Sequence, residues 1–267
     1  MSIISVTDAL ANQMGLSPVP AVGKDGRPLL LNSKQAQMVT VPQLYIGSFH
    51  LINPSCLVLS QKSLSALFGR PVDGVLGANV LTAYPMYFDF SKRQITLFYP
   101  SPLTGDQLRS VGMDDALTLP ITDTAAGGFG FACPVVMANG ANSVQENLVV
   151  DTGAAGTIIS GQTARQLQLQ PISDNRKSPT LFGNLAVRQA YLPTLSLGSL
   201  SVNNLLLRYT EGLSGSFPAH IGLDVLSHFR ILLDYTQKKM YLKPIVAPAS
   251  AAPRTAPQDG VGEKRDP

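Results

Sequence analysis

The segment Gly77-Ala78-Asn79-Val80-Leu81-Thr82-Ala83-Tyr84, running on through Asp89 to Leu97, aligns without gaps on Gly222-Leu223-Asp224-Val225-Leu226-Ser227-His228-Phe229, through Asp234 to Leu242. The Gly, Val, Leu, Asp and final Leu are identical. Pro42-Gln43-Leu44-Tyr45-Ile46-Gly47-Ser48 matches Pro193-Thr194-Leu195-Ser196-Leu197-Gly198-Ser199 in the same order relative to the first match. A chain that repeats its apolar pattern in this way is expected to fold as two copies of one unit. The 267 residues, 45% of them hydrophobic, supply an ample core for two modest domains.

The unit reads as β structure. Runs rich in Val, Ile, Leu, Tyr and Phe recur between Gly, Pro, Asn and Asp clusters, and long helical periodicity is absent. Short helices are predicted after Ser5 and after Gly161. Pro134 to Met137 and Asn147 to Val150 flank the turn pair Asn139-Gly140, which predicts a hairpin. Pro102, Gly105 and Gly112 break the pattern between the copies. The expected organisation is a first lobe over 1–105, a connection over 106–115, a second lobe over 116–246 and a disordered Ala/Pro-rich tail over 247–267.

The predicted hairpin delivers Asp151-Thr152-Gly153-Ala154, between the apolar runs Leu148-Val149-Val150 and Ile158-Ile159. Asp and Gly are favoured in any turn, but a carboxylate on a tight glycine turn at the end of a buried strand also suits hydrolysis without metal or covalent intermediate. One carboxylate takes a proton from the attacking water, and a second, protonated, polarises the carbonyl and feeds the leaving nitrogen. Two close carboxyl groups supply both states, because like charges that near cannot both ionise cheaply. Asp151 alone would be half of such a pair.

Other chemistries find less support. The net charge of +3 is small and the basic residues form no stripe, which argues against a nucleic-acid partner. Cys56 and Cys133 lack CxxC spacing, and His50, His220 and His228 form no ligand pattern with them, so no metal and no cofactor is expected and both cysteines read as buried free thiols. No apolar run approaches a membrane span, and the first residues lack the regions of a signal peptide. Asp89 and Asp234 precede Ser91-Lys92-Arg93 and Thr236-Gln237-Lys238, and are assigned to β-hairpin turns; Asp224 and Asn79 are assigned as helix caps.

Leu148-Val149-Val150-Asp151-Thr152-Gly153-Ala154 with Ile158-Ile159-Ser160, followed by His220-Ile221-Gly222-Leu223-Asp224, resembles the aspartic peptidases, and among them bacterial two-lobed proteins of retropepsin-like repeats. Val75-Leu76-Gly77-Ala78-Asn79 looks like the first-lobe counterpart of the glycine segment. The resemblance covers about residues 1 to 246 and implies an all-β acid-protease (pepsin/retropepsin-like) fold of two homologous β-barrel lobes. It implies that Asp151 is a catalytic carboxylate, that Thr152 locks the two catalytic loops through its hydroxyl, and that Gly153 allows the turn and presents its amide to the carboxylate. Ala154 stands where many pepsin-like members carry Ser. Ile221 and Gly222 would thread beneath the catalytic loop. The segments around Gly26 to Lys34 and Pro179 to Val187 lie where the family has flap-like hairpins. The phosphorylated-aspartate pumps place Lys directly after their Asp, a position held here by Thr152.

Aligning the copies further back sets Ser2-Ile3-Ile4-Ser5 on Thr157-Ile158-Ile159-Ser160, so the match to Asp151 falls before Met1 and the first lobe is expected to lack its N-terminal hairpin and catalytic loop. The expected function is aspartic-type endopeptidase activity of the complete protein on a peptide or protein substrate, with this chain carrying one of the two Asp residues and expected to be poorly active or inactive alone. Three explanations stay open: a start assigned too late, the preferred one; an inactive, peptide-binding pseudoprotease; or a second Asp from another copy. A complete protein would be a monomer, with a dimer as the alternative, and the tail and the two-lobed family lean toward an exported or periplasmic protein if the true N-terminus carries a signal peptide.

Overall fold

The computed structural model describes residues 4–23, 26–31, 34–77, 80, 84–99, 102–124, 130–173, 176–180, 183–213 and 218–245. The tail over 247–267, Ala78 and Asn79, and parts of both flap-like segments lie outside these residues.

In the first half, β1 (Ser5–Thr7), β2 (Val19–Pro20), β5 (Gln37–Thr40), β8 (Ser55–Leu59) and β9 (Gly74–Val75) form a sheet in the order β2-β5-β8-β1-β9. Two further hairpins accompany it: β3 (Leu30–Leu31) with β4 (Lys34–Gln35), and β6 (Gln43–Ile46) with β7 (Phe49–Ile52). β1 runs parallel to β8 and antiparallel to β9. Helix α1 (Asp8–Gln13) follows β1 and is capped by Thr7, whose hydroxyl accepts the Leu10 N–H; α2 (Gln61–Phe68) is capped by Ser60 in the same way and stops at Gly69, whose φ of 66° continues no right-handed helix.

A central sheet in the order β11-β10-β21-β22-β12 joins the two halves. It contains β10 (Met86–Asp89), β11 (Gln94–Leu97), β12 (Leu117–Pro120), β21 (Phe229–Asp234) and β22 (Lys239–Pro244). β10 and β21 are antiparallel, with Met86 opposite Leu233, Tyr87 opposite Leu232 and Phe88 opposite Ile231. Tyr87 and Leu232 hold matched places in the two sequence copies, so exchanging the halves maps this ladder onto itself. Asp89 and Asp234 end the two strands, buried. Asp89 accepts the Ser91 hydroxyl at 2.5 Å, the Lys92 N–H at 3.2 Å and the Tyr87 hydroxyl at 3.2 Å. Asp234 accepts the Thr236 hydroxyl and N–H at 2.7 and 3.1 Å and the Gln237 N–H at 3.1 Å. Both are turn anchors, as expected. α3 (Gly105–Ser110), with a Thr104–Gln107 capping box, lies in the stretch read as the connection.

The second half contains β13 (Thr122–Asp123), β14 (Phe131–Asn139), β15 (Asn142–Val150), β16 (Ile158–Ser160), β17 (Arg176–Thr180), β18 (Gly183–Leu197), β19 (Leu200–Thr210) and β20 (His220–Ile221). Their order is β13-β14-β15-β20-β16-β19-β18-β17, and an additional β14–β18 pairing closes a barrel. β14 and β15 form the expected hairpin, but with Asn139 and Asn142 as the last pair the turn is Gly140-Ala141 rather than Asn139-Gly140. Gly140 takes the left-handed φ of 59° that the turn requires, and the Asn139 side-chain amide donates to the Leu167 carbonyl at 2.9 Å.

The strands correct one register. β16 is parallel to β19 and antiparallel to β20, as β1 is to β8 and β9, with Ile158 facing His220 where Ser5 faces Val75. Ser160 caps α4 (Gly161–Gln166) where Thr7 caps α1. Thr7, not Ser5, therefore takes the place of Ser160, and the sequence match before α1 shifts by two residues. The similar Ile-Ile pairs drew the alignment to the wrong position; helix caps and strand pairing decide it. Cys56 and Cys133 are both buried and free, and burial pushes their thiols up, that of Cys133 to about 12.

Candidate active site

Leu148 is buried in the barrel core and Val150 packs against it, which anchors the end of β15; Val149, on the other face, is buried as well. β15 runs parallel to β20, with Val149 opposite His220 and Val150 opposite Ile221. Backbone bonds extend this ladder beyond the strand: Val149 N–H donates to the Ala219 carbonyl and Asp151 N–H to the Ile221 carbonyl, each at 3.1 Å. Asp151 thus leaves the barrel with its backbone held and its side chain half-buried. Thr152 and Gly153 make the turn. The Gly153 N–H donates to Asp151 Oδ1 at 2.9 Å, and the Ala154 N–H closes the turn on the Asp151 carbonyl at 3.2 Å. A Cβ at position 153 would stand 3.2 Å from Asp151 Oδ1, so glycine also leaves the carboxylate its room. Among the described residues no hydrogen bond to the Thr152 hydroxyl is present, and the Asp151 carboxylate is bonded by Gly153 alone.

The glycine segment crosses tightly under this loop. Ile221 is fully buried, and a Cβ on Gly222 would come 2.7 Å from the Gly156 carbonyl carbon and 2.8 Å from the carbonyl oxygens of Ala154 and Gly156. The Leu223 N–H donates to the Ala154 carbonyl at 2.8 Å, and the Gly222 N–H to Thr157 Oγ1 at 3.2 Å. Only a residue without a side chain fits where two backbones approach this closely.

Asp224 is not a helix cap. α5 (Leu223–Leu226) begins at Gly222 with no side-chain cap, while the Asp224 carboxylate accepts the Thr157 N–H and the Thr157 hydroxyl, each at 2.7 Å. Thr157 is fully buried, so its donors need an acceptor, and the carboxylate in the first turn of α5 supplies one across the crossing. Sequence reasoning missed this lock. The available signal was a Thr six residues after Asp151 paired with an Asp two residues after Gly222.

Tyr235 also went unnoticed. Its ring packs on Phe131 with centroids 4.4 Å apart. Burial, and then the nearby Asp151 charge, holds its phenol well above the ordinary value, so it stays a neutral hydroxyl beside the carboxylate. The repeat offered a hint, since its counterpart Phe90 is aromatic as well. Among the described residues no group of three or more His, Cys, Asp or Glu could hold a metal.

An all-β barrel that presents Asp-Thr-Gly at a strand end, above a crossing Ile-Gly segment, has the architecture of the acid proteases. Residues 135–225, which hold Asp151 and Gly222, match the family model described as aspartyl protease, and that segment belongs to the aspartic peptidase family. Among solved structures the chain is similar to a retropepsin-like aspartic protease from Rickettsia conorii, at 16% identity over 48% of this chain and 90% of that one, with a TM-score of 0.35. It is similar to an aspartic proteinase from Irpex lacteus, at 17% identity over 78% of this chain and 77% of that one, with a TM-score of 0.42. It is also similar to conglutin gamma, a basic 7S globulin from lupine seeds, at 12% identity over 91% of this chain and 82% of that one, with a TM-score of 0.44. No curated protein matches the sequence.

Proposed function

We propose that this protein is an aspartic-type endopeptidase in which Asp151 is one of two carboxylates that activate a water between them. The Asp151 turn supports this reading most directly: its carboxylate is half-buried, receives the Gly153 amide at 2.9 Å, and sits on a loop pinned by the Gly222 crossing. In its ionised form Asp151 accepts a proton from water as the water attacks a peptide carbonyl. A second, protonated carboxylate donates to the carbonyl oxygen and later to the leaving nitrogen. The pair acts with one carboxyl ionised and the other protonated, which places activity in the acid range. The substrate is a peptide held extended against strand edges.

Thr152 locks the opposing loop in this reading, and Ala154 and Ile221 line and support the turn. The proposal includes two lobes, 1–105 and 116–246, joined over 106–115. It is supported by the self-mapping β10–β21 ladder and by the matched surroundings of β1 and β16. One observation favours a second reading. Among the described residues no second carboxylate bonds to Asp151, as expected of a peptide-binding protein without turnover or of a site completed by another copy. Acid-range cleavage of peptides by the wild type, lost in Asp151→Asn, supports the peptidase; cleavage undiminished in that variant contradicts it. Peptide binding without cleavage selects the inactive reading, and activity that rises faster than linearly with protein concentration selects the two-copy site.

A further inference from the structure

Gly156 lies on the same loop as Asp151, and Arg208 reaches it from the neighbouring strand. Arg208 stands opposite Ile158 of β16 and opposite Gln189 of β18, and its backbone N–H donates to the Thr157 carbonyl at 3.0 Å. Its side chain is half-buried and turns toward the loop: a Cβ placed on Gly156 would be 3.7 Å from Arg208 Cζ and 3.8 Å from Nη1. The absence of a side chain at position 156 leaves that face of the guanidinium open.

A guanidinium carries five donors and cannot lose its charge. Partly withdrawn from water, it gains from an acceptor. Among the described residues it has no hydrogen-bond or ion-pair partner. Asp224 is the carboxylate beside it, with Oδ2 3.5 Å from the same Gly156 Cβ position, but both Asp224 oxygens accept from Thr157. Glu211, just past the end of β19, is paired with Arg165. The loop of the candidate active site is thus flanked by a fixed, uncommitted positive charge whose planar fork matches a carboxylate.

We propose that Arg208 and the open space over Gly156 form a subsite for a carboxylate carried by the peptide that lies across the Asp151 turn. This rests on the reading of that turn as a peptide cleft and adds a substrate class to it: peptides with Asp or Glu close to the bond presented to Asp151. Arg208 is a specificity-determining residue in this scheme and takes no part in proton transfer.

The test uses the full chain at neutral pH and fluorescent, extended, otherwise uncharged peptides, acetylated and amidated at their ends, in which a single Glu or Gln is moved along the sequence. At one position Glu is expected to bind about ten- to a hundredfold more tightly than Gln. Arg208→Gln should erase that difference, and Arg208→Lys should keep part of it, with thermal melting confirming that both variants fold. A neutral peptide that gains the same affinity only when its C-terminus is left free would identify the carboxylate as a chain end rather than a side chain. Equal binding of Glu, Gln, free-acid and amidated peptides overturns the subsite and leaves the proposed cleft standing. A preference that survives Arg208→Gln overturns the assignment to Arg208. Binding of none of these peptides overturns the cleft and the subsite together.

Discussion

The long hairpin of the barrel and its counterpart in the N-terminal sheet share one register but are held differently. In the barrel, β18 and β19 pair without interruption from Arg188–Tyr209 toward Leu197–Leu200 apart from the proline at position 193. In the N-terminal half the same ladder is divided into β5–β8 and β6–β7. The break falls at Val41-Pro42 and Asn53-Pro54, where only the Val41 N–H to Pro54 carbonyl bond (3.1 Å) and the Asn53 N–H to Pro42 carbonyl bond (3.0 Å) carry the register across. Proline has no N–H to give the ladder, so two prolines facing each other's strands interrupt it. The cores differ in the same sense. Among the described residues the barrel core runs into the central sheet as one cluster, while the N-terminal sheet rests on two separate small clusters. The lock differs too: Thr157, bonded to Asp224, is replaced at the corresponding place by Ile4, buried among apolar side chains. The half that carries Asp151 is the half with the tighter construction, as expected if a carboxylate must be held in a fixed geometry.

Substitutions can break or sharpen this contrast. Gly222→Ala should have the largest effect, because its Cβ would press on the backbone of Ala154 and Gly156; a loss of about 3 kcal/mol or more is expected in denaturant titration, and a loss under about 1 kcal/mol would mean the crossing is looser than described. Asp224→Ala leaves two buried donors of Thr157 unpaired and should cost about 2–4 kcal/mol. Adding Thr157→Ala to it should cost much less than Thr157→Ala alone, a coupling that a double-mutant cycle reads directly. Leu207→Ala, in the closed barrel, should cost about 3–5 kcal/mol, against about 2–3 kcal/mol for Leu57→Ala in the N-terminal sheet, where the smaller cluster can relax around the cavity. Equal losses would remove the asymmetry. The smallest effect belongs to Asp89. Burial alone would raise its carboxyl, but the hydrogen bonds from Ser91, Lys92 and Tyr87 and the Lys92 charge outweigh it, so the folded value lies below the ordinary one. Its contribution is present above the unfolded value of about 3.9 and is lost as pH falls through the lower folded value. Asp89→Asn should lower the melting temperature near neutrality by an amount worth about 1 kcal/mol and flatten its fall in the acid range.

Much of this was legible in the sequence. The β-rich unit, the strand delivering Asp151 and the turn anchors Asp89 and Asp234 all follow from local patterns, since each depends on residues within a few positions of one another; the glycine crossing joins distant residues and was implied only by the family resemblance. The Thr157–Asp224 lock was not, because it joins residues far apart in the chain and Asp224 carries a locally plausible capping role. The turn at Gly140-Ala141 was misplaced by one residue because Asn139 is used by the distant Leu167 carbonyl. The match before α1 slipped by two because Ile pairs are interchangeable by hydropathy, whereas the caps Thr7 and Ser160 are fixed by backbone geometry. Tyr235 gains its place beside Asp151 from the return of β21, which no local pattern encodes.

The most direct test is the pH–rate profile of peptide cleavage by the full protein and by Asp151→Asn, followed by mass spectrometry. The account predicts internal cleavage confined to the acid range and reduced in the variant on the order of a hundredfold or more. Cleavage at the same sites and the same rate in Asp151→Asn would contradict it.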